Sequence, residues 1–169
     1  MSTRYIALLI SLVIASSVPW TVTAAQDDPD NDLLPIFDAH IHYSHDAWEA
    51  FAPDDAIRRL REAGVKRAMV SSSSDKGTQM LYDAAPEFVI PVLRPYRKRG
   101  ELQTWMHDET VIPYLKERLQ KYRYAAIGEF HIDGEEANTP VVREVVKLAK
   151  QYDLMLHVHS DAAAIRLIF

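Results

Sequence analysis

From Pro35 to Phe169, strand-like and helix-like segments alternate without exception, and this rhythm leaves few folds open. Five short runs rich in apolar and branched side chains read as strands: Pro35–His42, Val65–Ser71, Phe88–Arg94, Tyr124–His131 and Leu154–His159. Pro91 is awkward inside the third, because it has no N–H to give a ladder. A helix pattern follows each strand. Pro53–Ala63 carries Asp54 and Asp55 in its first turn and Arg58, Arg59 and Arg61 later, presents a stripe of Ala56, Ile57, Leu60 and Ala63, and stops at Gly64. Thr78–Ala85 is a short helix closed by Pro86. Glu101–Tyr122 reads as two helical pieces broken near Pro113. Thr139 and Pro140 have the N-cap and first-position chemistry of a helix faced by Val141, Val145, Leu148 and Tyr152, and a fifth helix begins at Asp161. The Ser71–Ser74 run reads as a flexible loop rather than a nucleophile, since no His–Asp relay is identifiable beside it.

Parallel strands need crossover connections, so strict alternation predicts a parallel sheet covered by helices. Two architectures compete. A doubly wound sheet binds its ligand at a switch point, typically with a Gly-rich phosphate loop. The chain has 5 Gly in total and no G-x-G-x-x-G pattern. A barrel instead places polar residues at the C-terminal ends of several strands. The expected class is therefore α/β, a (β/α)8 TIM-barrel type that is incomplete, with about five βα units and parallel strands.

The first residues belong to a different regime. Residues 1–25 read as a secretory signal peptide: Arg4 supplies the charge, Ile6–Val18 the apolar stretch, and small residues the cleavage region up to Ala24 or Ala25. The apolar run falls well short of the ~20 residues of a membrane span, so no stable anchor is expected after cleavage. Residues 26–33 are acidic and Pro-broken and read as a disordered spacer; residues 34–169 form the partial barrel. The expected location is secreted or periplasmic. An eight-unit barrel takes ~250 residues, so five units take ~156, near the ~144 that cleavage would leave. The chain thus reads as a barrel cut off inside its fifth helix.

The ends of the strands gather the chemistry. His40 and His42 end the first, Ser71 the second, Arg94 the third, Glu129 and His131 the fourth, His157 and His159 the fifth. Residues i and i+2 of a strand share a face, so each of these pairs projects together. With no Cys in the chain, a metal has only imidazole and carboxylate ligands, a set that suits Zn²⁺ and also Mn²⁺, Fe²⁺ or Ni²⁺. Arg94 can grip a substrate carboxylate or phosphate, or belong to a solvated basic run extending to Arg99. Asp38, two residues before His40, reads as orienting a ligand. His131 reads as a ligand, a group behind one, or a substrate contact. Trp48 and Trp105 read as packing. The formal net charge of -5 leaves no basic surplus for phosphates and argues against general nucleic-acid binding.

The segments Phe37-Asp38-Ala39-His40-Ile41-His42, Ile127-Gly128-Glu129 and His159-Ser160-Asp161 resemble the metal motifs of the amidohydrolase superfamily, with the amidohydrolase-2 and TatD-like branches nearest. The resemblance implies a (β/α)8 barrel with one or two divalent metals, Zn²⁺ first among them. It implies metal ligation by His40, His42, Glu129 as the bridge, and His159, with His157 able to replace His159 or to lie one layer deeper. It covers the first five-eighths of that barrel. The strand-six His and the strand-eight Asp, the usual base, have no counterpart up to Phe169. The implied activity is hydrolysis of a C–N, ester or phosphoester bond in a small-molecule substrate by metal-activated water. A related decarboxylase, a PHP-type phosphoesterase, and a non-enzymatic metal-binding or interaction fragment that self-associates through its open edge are the alternatives.

Overall fold

A computed structural model describes residues 34–169. The signal-peptide and spacer segments, 1–25 and 26–33, lie outside the described residues. The elements run β1 (Ile36–Ile41), α1 (His45–Ala50), α2 (Pro53–Glu62), β2 (Val65–Ser71), α3 (Asp75–Ala84), β3 (Val89–Leu93), α4 (Val111–Lys121), β4 (Ala126–Ile132), α5 (Pro140–Gln151), β5 (Met155–Ser160) and α6 (Ala162–Ile168). Short 3-10 turns occupy Trp105–His107 and Gly134–Asn138. All neighbouring strands are parallel, and their order in the sheet is their order in the chain, β1-β2-β3-β4-β5. A doubly wound sheet would reverse direction at a switch point. This one curls progressively, as an incomplete (β/α) barrel does.

Two apolar cores lie between the sheet and its helices. Ile57, Val65, Ala68, Val70, Leu81, Phe88 and Val89 pack together along the β1–β3 half. Trp105, Phe130, Ile132, Leu115, Val142, Val145 and Leu148 pack together along the β4–β5 half. Among the described residues, no helix is long and apolar enough to cross a membrane.

Local chemistry accounts for the starts of α5 and α6. The Thr139 side chain accepts from the Val142 amide at 3.3 Å, and Pro140 begins α5. The Asp161 carboxylate does the same for α6, accepting from Ala164 N at 2.7 Å and also from Gly134 N at 3.2 Å. Pro91 is tolerated because N–H and C=O of one strand residue point the same way. Its carbonyl accepts from Ala125 on the β4 side, and the β3–β4 ladder begins only at Val92.

Several expectations need correction. α3 starts at Asp75, not Thr78, with Ser74 as its N-cap. Pro113 does not break a helix: it lies in the first turn of α4, where its missing N–H removes no intrahelical bond. α1 was not evident from periodicity; at 6 residues it is too short to show one. The Ser71–Ser74 loop is packed rather than flexible: Ser71 and Ser72 are buried, the Ser72 hydroxyl accepts from Tyr43 N, and Ser73 N donates to the Ser44 hydroxyl.

The sheet is unevenly covered. Its margins expose apolar side chains: Ile36 and Phe37 on β1, Met155 on β5, Ile165 and Leu167 on α6. A cavity of about 490 Å³ lies between α5, β5 and the end of α6, lined by Val146, Leu154, Leu156 and Ile168 among others.

Candidate metal centre

Two irregularities in the ladders shape the rim. Between β4 and β5 the register steps from Gly128↔His157 to Phe130↔Val158, which leaves Glu129 unopposed. Between β1 and β2 it steps from Asp38↔Ala68 to Ile41↔Val70, so two residues, Ala39 and His40, stand against one. Bulges of this kind re-aim side chains beside active sites. Gly128 makes the first one feasible. Its φ is +142°, and a Cβ there would meet the His157 carbonyl oxygen at 2.1 Å. Behind the rim, Gly77 serves a similar purpose: a Cβ would meet the Tyr43 carbonyl oxygen at 1.8 Å, so a side chain would unseat the β1–α1 connection.

The re-aimed Glu129 sits at the middle of a histidine cluster. Its Oε2 lies 3.0 Å from His40 Nε2 and 3.1 Å from His42 Nε2, and the two imidazole nitrogens are 2.9 Å apart. Its Oε1 lies 3.5 Å from His159 Nδ1 and 3.8 Å from His131 Nε2. Each carboxylate oxygen therefore faces its own pair of histidines. Arg94 secures the carboxylate from behind, with Nε donating to the Glu129 carbonyl at 3.0 Å and Nη2 to Oε2 at 3.1 Å. Burial alone would push the Glu129 carboxyl up. His40, Arg94, His131 and His42 together outweigh it, and the net displacement is downward. Burial lowers His42, despite the Ser71 carbonyl that favours its charged form, and burial also lowers His131 and His157. These three imidazoles are neutral at neutral pH.

The donor chemistry tests whether a cation fits. His42 Nδ1 lies 2.5 Å from the Ser71 carbonyl oxygen, which can only accept. Nδ1 therefore carries the proton of the neutral ring, and Nε2 presents a lone pair. That lone pair points at a carboxylate oxygen 3.1 Å away. Two electron-rich atoms so placed repel unless a cation or an extra proton lies between them. Two groups of ligand atoms, His40–His42–Glu129 and Glu129–His131–His159, each lie within 4.8 Å of one another. With nitrogen and oxygen donors and no thiolate, the set fits a divalent cation such as Zn²⁺.

The chain matches the TatD related DNase family over residues 37–168. It belongs to that family. TatD related DNases are metal-dependent hydrolases of the amidohydrolase-type barrel, which agrees with the curled parallel sheet and the histidine cluster. No curated protein and no solved structure matches the chain. Of the two branches its motifs resemble, the match is to the TatD-like one. Membership in a DNase family also leaves the exclusion of nucleic acid, drawn from net charge, without support.

The remaining candidates fall into place around the TatD-type rim. His157 lies beside His40, ring centroids 5.2 Å apart, and its buried Nδ1 has no hydrogen-bond partner. The Asp38 carboxylate accepts from the His40 backbone amide at 3.0 Å and so fixes the chain, not the ring. Asp161, part of the recognised motif, serves as a helix cap. His45 and His107 lie apart from the cluster, facing the Ser73 carbonyl and Glu136.

Three contributors escaped sequence reasoning. Ser71 fixes the His42 ring through its carbonyl, a group every residue has, so no side-chain signal existed. The Tyr96 hydroxyl accepts from the His131 amide at 2.7 Å and meets His131 Nδ1 at 3.2 Å. Trp105 is fully buried packing, yet its Nε1 also donates to the His131 carbonyl at 3.1 Å. Tyr96 follows Arg94-Pro95 at a strand end, and that position is the one signal that could have flagged it.

Proposed function

We propose that the chain is a divalent-cation-dependent phosphodiesterase acting on nucleic acid, in keeping with the DNase description of its family. The observation that carries this reading is the single buried carboxylate whose two oxygens face two separate histidine pairs. His40, His42 and Glu129 would hold one cation; Glu129, His131 and His159 would hold a second, with Zn²⁺ the first choice. When bound, such cations lower the pKa of water and draw charge from a phosphoryl oxygen.

The chain's own residues prepare that chemistry. Arg94 keeps Glu129 ionised and aimed. The Ser71 carbonyl fixes the His42 tautomer so that Nε2 is free to ligate. Tyr96 and Trp105 hold the His131 segment from the side of β3. His157, neutral and one layer deeper, buttresses the His40 ring. No general base is identified among the described residues. The open apolar margins at β1 and β5 support the further proposal that additional barrel units, supplying the strand-six His and strand-eight Asp of the resemblance, cover them in the working enzyme. Export through residues 1–25 is proposed on sequence grounds.

The test uses the whole chain, stripped with a chelator and titrated with Zn²⁺ or Mn²⁺ by calorimetry. Two equivalents are expected for the natural sequence, one for His40→Ala, and a loss of both high-affinity events for Glu129→Gln. Phosphodiester cleavage of a DNA oligonucleotide should depend on the added cation. Absence of stoichiometric binding, or cleavage that survives chelation, would overturn the reading.

A further inference from the structure

Next to the histidine cluster, on the β1–β3 side, lies a second cavity of about 220 Å³. Ser73, Arg94, Lys98, Arg99, His45 and Asp46 line it. Arg94 belongs to both places. Its side chain is only 8% exposed, and Nε and Nη2 are engaged with Glu129. Among the described residues Nη1 has only the Ser73 hydroxyl, at 3.4 Å, and both of those side chains face the cavity lining. A buried guanidinium nitrogen therefore has donor capacity in reserve there.

The basic run splits into two roles. Arg97 is consumed by Glu101, Asp108 and Thr110 and belongs to the scaffold. Among the described residues Lys98 forms no ion pair. Arg99 reaches only Asp46, at 3.6 Å, with both side chains 68% exposed, a pairing of little strength in water. His45 turns Nδ1 toward the Ser73 carbonyl at 3.3 Å, which leaves Nε2 unused. The cavity lining thus carries Arg94, Lys98 and Arg99 against Asp46; with Arg94 also bonded to Glu129, the unmatched positive charge is that of Lys98, in a chain whose formal net charge is -5. A local surplus of positive charge against the overall sign, backed by a buried Arg, is the electrostatic mark of an anion site.

We infer that this cavity is a phosphate subsite. It holds a substrate phosphate neighbouring the one that is cleaved at the histidine cluster, with Arg94 Nη1, Lys98 and the Ser73 hydroxyl as donors. The inference rests on the phosphodiesterase reading for its substrate class, but its ligand contacts are independent of any cation. The enzyme then prefers a chain of phosphodiesters over an isolated one, because only the chain fills both places.

The test titrates inorganic phosphate into the whole chain in the presence of chelator, at fixed ionic strength, and follows backbone amide NMR signals. Shifts are expected at Ser73, Lys98 and Arg99. Lys98→Gln should weaken the phosphate Kd at least threefold, while His40→Ala leaves it within a factor of two. In cleavage assays, Lys98→Gln should raise KM for a DNA oligonucleotide by a larger factor than for bis(4-nitrophenyl) phosphate, which has one phosphate. Equal phosphate affinity in the Lys98→Gln and natural chains, or shifts confined to the histidine cluster, would overturn the inference. Lys98-dependent phosphate binding by a protein that takes up no cation would sink the metal-centre reading and leave this one standing; cation uptake without phosphate shifts would do the reverse.

Discussion

Glu129 and His159 meet at 3.5 Å, yet the first side chain is 4% exposed and the second 65%. The difference follows from their strands. β4 has a neighbour on each side and a helix layer behind it, whereas β5 pairs with β4 alone. His40, on β1 at the other margin, is likewise 46% exposed. The interior strands therefore supply the carboxylate, its Arg94 clamp and His131, and the margins supply the other imidazoles, supported from one side. A cation held at Glu129 would join the two regions and would couple its own binding to the order of the margins.

The sharpest way to break this comparison is to delete matched side chains from each region. Phe130 on β4 is fully buried against Trp105, ring centroids 4.9 Å apart. Phe130→Ala should cost about 3–5 kcal/mol in urea unfolding of the whole chain, from lost transfer energy plus an unfilled cavity. Phe37, on the β1 margin, is 53% exposed. Phe37→Ala should stay within about 1 kcal/mol of the natural chain. Similar costs for both would mean that β1 is covered in solution by something that packs on Phe37.

Charge gives the second contrast. Arg94→Met leaves a buried carboxylate without its guanidinium and should destabilise by about 3 kcal/mol. On the exposed surface of α2, Arg58 bonds Asp55 and Glu62, each at 2.9 Å. Arg58→Met should cost no more than about 1 kcal/mol, since water competes for every partner. Added divalent cation should recover part of the Arg94→Met loss and none of the Arg58→Met loss, because only the former leaves Glu129 as an unmatched negative charge.

The same division decided what could be read from the sequence. The alternation of elements and the cap at Thr139 follow from local chemistry, and the strand positions hold to within a residue or two; the capping role of Asp161 was not read. Periodicity also brought His40, His42, Glu129, His131 and His159 to one rim. Strict alternation could not show that Glu129 is an unopposed residue of a bulge, because a bulge is a relation between two strands. Nor could it show that Ser71 acts through a carbonyl, or that the Ser run packs under α1. The resemblance implied metal ligands; it said nothing of Tyr96, whose role depends on β3 lying beside β4.

Tyr96 offers a smaller and more specific test. Tyr96→Phe removes the hydroxyl that bonds the His131 amide and meets its ring, with little change in volume. Groups that orient a ligand typically carry about tenfold in metal affinity, and this change should weaken the second cation event by about that factor. The first event, at His40 and His42, should be unaffected. Calorimetry on one preparation reads both. Equal weakening of the two would show a general loosening of β4 rather than an effect routed through His131.

The smallest effect is expected at a solvent-facing carboxylate. The Asp108 carboxylate accepts from the Thr110 hydroxyl and amide and pairs with Arg97, and these bonds draw its pKa down to about 2. A carboxyl whose folded pKa is below its unfolded value adds stability above the unfolded value, near 3.9, and loses it as the pH falls through the folded one. Asp108→Asn cannot titrate. Its unfolding free energy should therefore vary less with pH between about 4 and 2 than that of the natural chain, with the two curves closest at the acid end. Glu129 is displaced in the same direction, so Glu129→Gln should also make stability vary less with pH on the acid side. An acid limb as steep in Asp108→Asn as in the natural chain would mean that the contacts of Asp108 with Thr110 and Arg97 do not hold in solution, and that this part of the surface is looser than its hydrogen bonds make it.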